Sequence, residues 1–271
     1  MGRCPDLGYQ CMDKLENSFH DIAHVYYRFN NNEVYKFWLD FTLKHGNKPL
    51  NKVLDLACGN GEFIRRLAPY CQTITGIDYD PKMIDIAQRM TPSNDKIHYQ
   101  CMNILDLSRL DRDFDLITCY LDSLCFLQNQ TQLQEAINQV YQHLSPRGIF
   151  LFDVWSSKGI ANFEDYYYFD MDDQAALLWE SIVKTSSDNS QVSHQITVFE
   201  ESMVQEGLYK KIQVELTERT YQLANYIDWL ETAGFSKDKI EVFTDFDSEK
   251  LDDYDQAEEL ANERWFIKAY K

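Results

Sequence analysis

The sequence predicts an α/β fold in which a parallel sheet carries helices on both faces and a smaller antiparallel sheet is inserted. From residue 52 to residue 154, short apolar segments alternate with amphipathic segments, and parallel strands need such crossover connections. From residue 164 to residue 221 the helical period disappears and strand-like segments follow one another. The 271 residues, 44% of them hydrophobic, suffice for one large domain that carries an insertion.

The first elements lie on either side of a turn that contains two glycines. Residues 33–45 repeat apolar side chains at helical spacing and end before Gly46, which predicts an amphipathic helix. The apolar run at 52–57 is typical of a buried parallel strand. The turn CGNG follows this strand, and a helix is predicted from residue 62 to Pro69. The apolar face of the first helix is predicted to consist of Val34, Phe37, Trp38 and Phe41.

The second and third strands are predicted at 73–78 and 97–102, with a helix between them. Asp80 is placed to cap this helix, and Pro81 is placed at its first position. The apolar side chains of the helix recur on one face. That face is predicted to consist of Met83, Ile86, Ala87 and Met90.

The fourth and fifth strands are predicted at 114–120 and 148–154, again with a helix between them. Thr131 and Gln134 have the spacing of a capping box at the start of this helix. Its apolar face would pack against the sheet. The face is predicted to consist of Leu133, Ala136, Ile137, Val140 and Leu144.

The insertion contains four segments of strand character, and a helix follows it at 226–235, ending at Gly234. In the last of the four segments, Ile212, Val214 and Leu216 alternate with polar residues, which is typical of a sheet with one wet face. Two closing strands bring the main sheet to seven. The predicted divisions are an N-terminal helical segment (1–46), a core (47–160 and 222–271) and an inserted antiparallel β lid (161–221).

Charge and composition restrict the partners. Acidic residues outnumber basic ones by 44 to 26, a formal net charge of −18, which argues against a nucleic-acid partner because such affinity depends on Lys and Arg. No apolar run approaches the roughly 20 residues that span a bilayer, and no signal peptide is recognisable. The seven cysteines are scattered without zinc-ligand spacing. We therefore expect a soluble cytoplasmic protein, a monomer or homodimer, that contacts no membrane and binds no metal.

The turn after the first strand carries the clearest chemical signal. Gly59 and Gly61 would let the backbone approach a ligand closely, and Asp78, 17 residues after Gly61, would accept both hydroxyls of a ribose. The full glycine pattern of dinucleotide-binding proteins is absent, as is the lysine of a P-loop. Asp55 at the strand end would repel a pyrophosphate but suits a ligand with a positive centre. S-adenosylmethionine carries two such centres, a sulfonium and an α-amino group.

Four segments together resemble the successive motifs of class I S-adenosylmethionine-dependent methyltransferases: VLDLACGNGEF, GIDYDPKMIDIAQ, FDLITCYLDSLCFL and LSPRGIFLFDV. The strand-rich lid and the terminal ERWFIKAYK resemble a bacterial subfamily of these enzymes, similar to aminosugar N-methyltransferases. The resemblance implies a Rossmann-like seven-stranded sheet, mostly parallel with an antiparallel last strand. It also implies S-adenosylmethionine as the cofactor.

The resemblance further implies roles for individual residues on the cofactor side. Asp55 would accept from the methionyl amino group, Asp78 from the ribose, and the backbone of the turn would lie against the cofactor. Tyr79 and Met83 would pack on the adenine, with Asn103 accepting from its amino group in place of the usual acid. The cofactor set is Asp55, Ala57, Cys58, Gly59, Gly61, Asp78, Tyr79, Met83, Asn103, Ile104, Tyr120, Leu121, Ser123 and Tyr26, where core packing is the alternative for Tyr26.

On the acceptor side, Asp122 and Tyr168 are the candidate substrate-binding residues. Asp122 and its neighbour Ser123 have a purely structural alternative as a helix cap, and Tyr168 has one as filler of a strand. No catalytic base is assigned, because methyl transfer mainly requires alignment of donor and acceptor. The predicted function is methyl transfer to a small-molecule N or O acceptor. Methylation of RNA or protein, and a non-catalytic S-adenosylmethionine-binding module, remain the alternatives.

Overall fold

A computed structural model of the chain contains two β-sheets with seven α-helices among the residues it describes. Those residues are 19–29, 34–46, 48–93, 95–186, 189–202, 207–244, 249–251 and 263–271. The first half contains α1 (Ala23–Phe29), α2 (Tyr35–His45), β1 (Leu50–Leu56), α3 (Glu62–Leu67), β2 (Cys71–Asp78), α4 (Pro81–Met90), β3 (Ile97–Cys101), β4 (Phe114–Cys119) and α5 (Gln130–His143). The second half contains β5 (Leu144–Trp155), α6 (Ser157–Ala161), β6 (Tyr167–Met171), β7 (Ala175–Thr185), β8 (Ser190–Glu201), β9 (Tyr209–Thr220), α7 (Leu223–Ala233), β10 (Ile240–Thr244), β11 (Glu249–Lys250) and β12 (Arg264–Tyr270).

The main sheet has the order β11-β10-β12-β5-β4-β1-β2-β3. Strands β1 to β5 are parallel, whereas β12 runs antiparallel to both of its neighbours, β5 and β10. The predicted seven-stranded sheet with an antiparallel last strand is confirmed, and the two-residue β11 adds an eighth strand at the edge. Because β1 lies between β4 and β2, the turns after β1 and β4 leave the sheet at neighbouring positions.

Helices cover both faces of this sheet with separate hydrophobic clusters. Helices α5 and α7 pack on one face around Phe150, Phe152 and Tyr226. Helices α2 and α3 pack on the other, around Trp38 and Phe266. No helix of the described part is long and apolar enough to cross a bilayer.

The second sheet has the order β6-β7-β8-β9 and is antiparallel throughout. It is the predicted inserted sheet, and we call it the lid sheet. The predicted alternation holds, since Ile212 and Leu216 are buried while Gln213 and Glu215 are exposed. Its apolar face packs against Val25 of α1, against Ile22 just before that helix, and against Phe126. The exact division of the chain at residues 46, 160 and 221 stays a prediction.

Three local details differ from the sequence prediction. Phe37 is 50% exposed, and α2 buries Tyr35 beside the predicted Trp38 and Phe41. Helix α4 buries Met83 and Ala87 of the predicted face together with Ile84, whereas Ile86 is half-buried and Met90, its last residue, is 41% exposed.

The predicted capping box at Thr131 was wrong. The Asn129 side chain caps α5 by accepting from the Gln132 backbone N–H at 3.0 Å. Thr131 therefore lies inside the helix. By contrast, Asp80 caps α4 as predicted, accepting from the Lys82 backbone N–H at 2.8 Å, and Gly234 ends α7 in the left-handed region with φ 119°.

Candidate active site

A cavity of about 760 Å³ lies at the carboxyl ends of the parallel strands, between the main sheet and the lid sheet. Ligands of open α/β sheets bind at this edge, and the volume is in the range of small-molecule sites. We call one part of its lining the cofactor part: Asp55, Ala57, Cys58, Gly59, Asp78, Tyr79, Met83, Asn103 and Ile104. We call another the lid part: Asp122, Trp155, Phe163, Tyr166, Trp179, His194, Glu218 and Arg264.

The turn after β1 is tightly bent, with positive φ at Ala57 (52°), Gly59 (52°) and Gly61 (75°). A Cβ on Gly59 would meet nothing within 4 Å, so the backbone of this residue is open to the cavity. A Cβ on Gly61 would lie 2.3 Å from the Tyr99 hydroxyl oxygen. Gly59 thus provides the close approach that a ligand needs, whereas Gly61 is required by packing.

Asp78 links the ends of β1 and β2. Its two carboxylate oxygens accept from the backbone N–H groups of Gly59 and Asp80, each at 2.9 Å. Burial raises the pKa of Asp78 to about 6, against the opposing effect of these hydrogen bonds. The carboxylate therefore holds the glycine turn in place and remains at the cavity wall.

Asp55 is the second buried acid of the cofactor part, 3% exposed. Its Oδ1 accepts from the Thr118 hydroxyl on the neighbouring strand at 2.6 Å. Burial raises the pKa of Asp55 to about 7, and the nearby Asp78 contributes to the rise. Two buried carboxyl groups at one wall favour a ligand that brings positive charge or hydrogen-bond donors.

The other predicted cofactor residues of this part follow β2 and β3. Tyr79, Met83 and Ile104 line the cavity. Residues that pack against an adenine ring have to lie at such a wall. Asn103 also lines it, but its side-chain carbonyl already accepts from the Leu105 backbone N–H at 2.9 Å. Asn103 therefore stabilises its own turn with the oxygen that was predicted to face the adenine.

The loop after β4 is strained. Leu121 (φ 57°) and Asp122 (φ 52°) both have left-handed backbone conformations, which cost energy for residues other than glycine and recur at functional sites. Asp122 precedes a short 3₁₀ helix (Ser123–Phe126), yet its side chain makes no capping hydrogen bond. The Ser123 hydroxyl donates back to the Tyr120 carbonyl at 2.7 Å. The helix-cap alternative is therefore wrong for the Asp122 side chain.

Asp122 instead forms an ion pair with Arg264, the first residue of β12. The Arg264 Nη1 lies 2.5 Å from an oxygen of Asp122 and 2.5 Å from an oxygen of Asp153 on β5. Its guanidinium stacks on the Trp155 ring, 3.5 Å from the ring centre. Burial raises the pKa of Asp153 to about 6, and Arg264 opposes that rise. Three distant segments of the chain thus meet in one buried cluster.

Glu218 and His194 continue this cluster into the lid sheet. The Glu218 carboxyl accepts from the Trp155 indole N–H at 2.7 Å, lies 3.1 Å from the His194 Nε2, and hydrogen-bonds to Asp122. Burial, reinforced by Asp122, raises the pKa of Glu218 well above its usual range. Burial also lowers the pKa of His194 to about 4. The His194 side chain is therefore neutral near pH 7.

The tautomer of His194 follows from its partners. The Trp179 indole N–H, which can only donate, points at the His194 Nδ1 at 3.0 Å. The ring proton of the neutral histidine is therefore on Nε2, which donates to Glu218.

The cavity brings together most of the predicted site residues. Two lie elsewhere: Gly61 faces Tyr99, and Tyr168 is 37% exposed with its hydroxyl donating to Asp170 at 2.9 Å. The Tyr26 side chain is outside the described part of the chain. The neighbouring Tyr166 lines the cavity instead of Tyr168. The predicted residues that line it are Asp55, Ala57, Cys58, Gly59, Asp78, Tyr79, Met83, Asn103, Ile104, Tyr120, Leu121, Asp122 and Ser123.

Sequence reasoning missed Glu218, His194 and Arg264. One signal for Glu218 was present, because it continues the inward alternation of Ile212 and Leu216 along β9. An acid at an inward position of an apolar strand face needs an explanation, since buried carboxyl groups require partners.

The fold and the site define a class of protein, one with a Rossmann-like sheet, an open glycine turn and buried acids at the carboxyl ends of β1 and β2. Comparison with known proteins agrees with this class. Residues 53–148 match the model of a methyltransferase domain. YqeM of Bacillus subtilis (strain 168), a candidate methyltransferase, is 29% identical over 256 residues, which cover 93% of this chain and 97% of the relative.

Two solved structures share the fold. An S-adenosylmethionine-dependent methyltransferase from Clostridium acetobutylicum superposes with a TM-score of 0.69 at 22% identity, covering 93% of this chain and 98% of its own. The sugar N-methyltransferase KedS8 from Streptoalloteichus gives 0.70 at 18% identity, covering 95% and 94%. Residues 53–148 thus match a methyltransferase domain, and nearly the whole chain is similar to relatives and solved structures that are named as methyltransferases.

The site fits S-adenosylmethionine. The open face of Gly59 admits close approach, and the buried carboxyl groups of Asp55 and Asp78 suit a ligand with cationic and hydroxyl groups. When bound, this cofactor supplies an electrophilic methyl group on a sulfonium. The protein has to bind it, orient the acceptor and exclude water, and the lid sheet covers the cavity on the side that faces away from the main sheet.

Proposed function

We propose that this protein methylates a small-molecule N or O acceptor that binds in the lid part of the cavity. One observation carries the proposal: the lid part is closed by the inner face of an inserted sheet, where Trp179, His194 and Glu218 point at the cofactor-binding edge. Cofactor and acceptor thus share one cavity of about 760 Å³. Such a space holds two small molecules but not a folded macromolecule.

We further propose roles for the residues of the cofactor part. Asp78 binds the ribose hydroxyls, Asp55 the methionyl amino group, and Tyr79, Met83 and Ile104 pack on the adenine. Burial of each side chain at the cavity wall supports these roles. KedS8, which shares the fold, is by name a sugar N-methyltransferase, and this supports a small acceptor here.

The charge of the cavity disfavours the RNA alternative. Among the described residues that line it, Arg264 is the one Arg or Lys, and it already pairs with Asp122 and Asp153. RNA binding relies on cations that neutralise phosphates, and the described part of the cavity wall offers no further Arg or Lys for that purpose.

The proposal is tested in two steps with the purified full chain. Calorimetry with S-adenosylhomocysteine first establishes cofactor binding. Labelled S-adenosylmethionine is then offered with a panel of small amines, aminosugars and hydroxyl compounds, and separately with transfer RNA and with denatured protein. We expect label only in the small-molecule panel. Label only in RNA or protein would overturn the proposal, and cofactor binding with no transfer at all would favour the non-catalytic binding module.

A further inference from the structure

The lid part of the cavity offers a ligand mainly aromatic rings. The Phe163 ring lies 5.3 Å from Trp155 and 5.4 Å from Tyr166, measured between ring centres. It also lies 5.0 Å from His194, and Trp179 lies 5.2 Å from the same histidine ring. All five rings line the cavity, and we call them the aromatic wall. Such a wall suits a ligand body with a flat apolar surface.

The polar side chains of the lid part are largely used by one another. The two ring nitrogens of His194 are taken by the Trp179 indole N–H at 3.0 Å and by one oxygen of Glu218 at 3.1 Å. The other oxygen of Glu218 accepts from the Trp155 indole N–H at 2.7 Å. A sugar brings several hydroxyl groups, and each of them needs a polar partner when it is buried. The lid part therefore favours a body with few polar groups.

The charge of the lid part disfavours an anionic acceptor. Arg264 lies 2.5 Å from a carboxylate oxygen of Asp122 and 2.5 Å from one of Asp153. Two carboxylates thus share one guanidinium, and no other Arg or Lys is among the described residues that line the cavity. After position 18, the residues that the structure does not describe contain no Arg or Lys either. A phosphate or carboxylate on the acceptor would be repelled here without a cation to pair with.

We propose that the acceptor is an amine on an apolar body without phosphate or carboxylate groups, and that nitrogen is the methylated atom. This inference rests on the proposed function and narrows its acceptor class. Nucleotide-linked aminosugars fall outside the class, because they carry a diphosphate and a polar body. Alcohols and phenols also fall outside it, because of the charge that the reaction moves.

Methylation of an amine places positive charge in the lid part. The lone pair of the neutral amine nitrogen forms the bond to the methyl carbon, and the carbon–sulfur bond breaks with its electrons remaining on sulfur. The positive charge thereby moves from sulfur to nitrogen, and it is lost as a proton to solvent after the product departs. Aromatic faces attract such a cation, and so does the excess of carboxylate over guanidinium charge beside them.

Methylation of a hydroxyl group makes the opposite demand. The hydroxyl has to give up its proton, so negative charge develops on oxygen. Asp122 lies at the cavity wall, and a nearby like charge disfavours an oxyanion. Arg264 is already shared between two carboxylates. The groups that favour nitrogen therefore act against oxygen.

The first test measures binding and needs no turnover. The full chain is saturated with S-adenosylhomocysteine, and competition titrations followed by saturation-transfer NMR compare 2-phenylethylamine, 2-phenylethanol, 2-phenylethyl phosphate and glucosamine. At neutral pH the first probe is protonated, so it carries the charge that the reaction places on nitrogen. We expect it to bind about tenfold more tightly than the alcohol, and we expect the phosphate and glucosamine to bind more weakly than either.

Several results of this titration would overturn the inference. They are tighter binding of the phosphate or of glucosamine, equal binding of the amine and the alcohol, and no binding of the amine. Failure of S-adenosylhomocysteine to bind at all would overturn the proposed function together with the inference.

Tryptophan variants locate the amine. Trp179→Leu removes one ring of the aromatic wall, whereas the control Trp229→Leu removes a ring that packs against Tyr221 and Tyr226. A general loosening of the lid sheet would weaken the binding of amine and alcohol alike. We expect Trp179→Leu to lower the amine-to-alcohol preference from about tenfold to about threefold, and Trp229→Leu to leave it unchanged. Tyr166→Leu repeats the test at a side chain that is 37% exposed, and an undiminished preference in both wall variants would overturn the inference.

The second test uses turnover. Labelled S-adenosylmethionine is offered with 2-phenylethylamine and the other small amines of the panel, with the matching alcohols, and with UDP-glucosamine as a nucleotide-linked aminosugar. We expect label in apolar amines alone. Label in an alcohol or in UDP-glucosamine would overturn the inference and leave the proposed small-molecule function intact. Transfer to no member of the panel would overturn the proposed function and the inference together.

Discussion

The two parts of the cavity are built in different ways. In the cofactor part, Asp55, Gly59 and Asp78 lie within 24 residues and are joined largely through backbone N–H groups. In the lid part, residues from position 122 to position 264 converge, and they are joined through side chains: indole, guanidinium, imidazole and carboxyl groups. A site that is held by backbone groups can be recognised from a short sequence motif, whereas a site that is held by side chains depends on the whole fold.

This difference has an energetic consequence. Removing one side chain from the lid part leaves a buried polar partner unsatisfied, which costs about 1 to 3 kcal/mol. In the cofactor part, removing Asp78 takes the acceptor from the backbone N–H groups of Gly59 and Asp80, so the glycine turn, as well as the ligand, loses a partner. The two parts are therefore expected to respond separately to substitution.

The largest expected effect is on cofactor binding. Asp78→Ala removes the carboxylate that holds Gly59 and that we assign to the ribose. We expect the affinity for S-adenosylhomocysteine to fall about 100-fold, roughly 3 kcal/mol, as measured by calorimetry. The control Asp85→Ala changes an exposed acid of α4 and should bind normally. Undiminished affinity in Asp78→Ala would refute the cofactor assignment.

The raised pKa of Asp55 predicts that the stability of the folded protein depends on pH. Its pKa is about 7 in the folded protein and 3.8 as the reference value, so the folded state holds the proton more tightly. Its contribution to the free energy of unfolding is thus fully present below about pH 4 and is lost as the pH rises to about 7. Relative to wild type, Asp55→Asn should therefore gain about 2 kcal/mol between about pH 5 and pH 8.

Urea denaturation of the free protein at both pH values measures this gain. The control Asp111→Asn changes a side chain that is 89% exposed and should show the same difference from wild type at each pH. If Asp55→Asn behaved like this control, burial would not be what raises the pKa of Asp55.

The lid part is tested by Trp155→Phe, which removes the indole N–H that donates to Glu218 and keeps an aromatic ring beneath Arg264. We expect methyl transfer to slow about tenfold, because the buried Glu218 carboxyl at the cavity wall loses a hydrogen-bond donor, while S-adenosylhomocysteine affinity changes less than about twofold. Trp229→Phe is the matched control, since Trp229 packs against Tyr221 and Tyr226 outside the cavity. If Trp155→Phe also lowered the affinity for S-adenosylhomocysteine about tenfold, the two parts of the cavity would not be separable.

The smallest expected effect distinguishes two neighbouring tyrosines. Tyr166 lines the cavity, 5.4 Å from Phe163 between ring centres, whereas Tyr168 lies outside it. Tyr166→Ala should raise the KM for the acceptor by about fivefold, or about 1 kcal/mol, and Tyr168→Ala by less than about twofold. Steady-state kinetics on the acceptor found in the panel measures both. The reverse order would restore the sequence prediction for Tyr168.

Much of the fold was predictable because its signals are local. The apolar strand at 52–57, the cap at Asp80 and the glycine end at Gly234 each depend on a few neighbouring residues. The Thr131 capping box failed because Asn129 offers a competing cap two residues earlier. The predicted burial of Phe37 was wrong because the helical period alone does not select which of two adjacent apolar stripes faces the core.

The sequence by itself determined the α/β class and the antiparallel insertion, because strand order and glycine turns are encoded within a few tens of residues, and its resemblance to known motifs predicted the residues of the cofactor part. Only the tertiary structure decided that Asp122 pairs with Arg264 and Glu218 rather than capping a helix. It also decided that Tyr166, and not Tyr168, faces the cavity. The physical reason is that buried side-chain networks join residues that are remote in sequence, and their partners exist only once both sheets have packed.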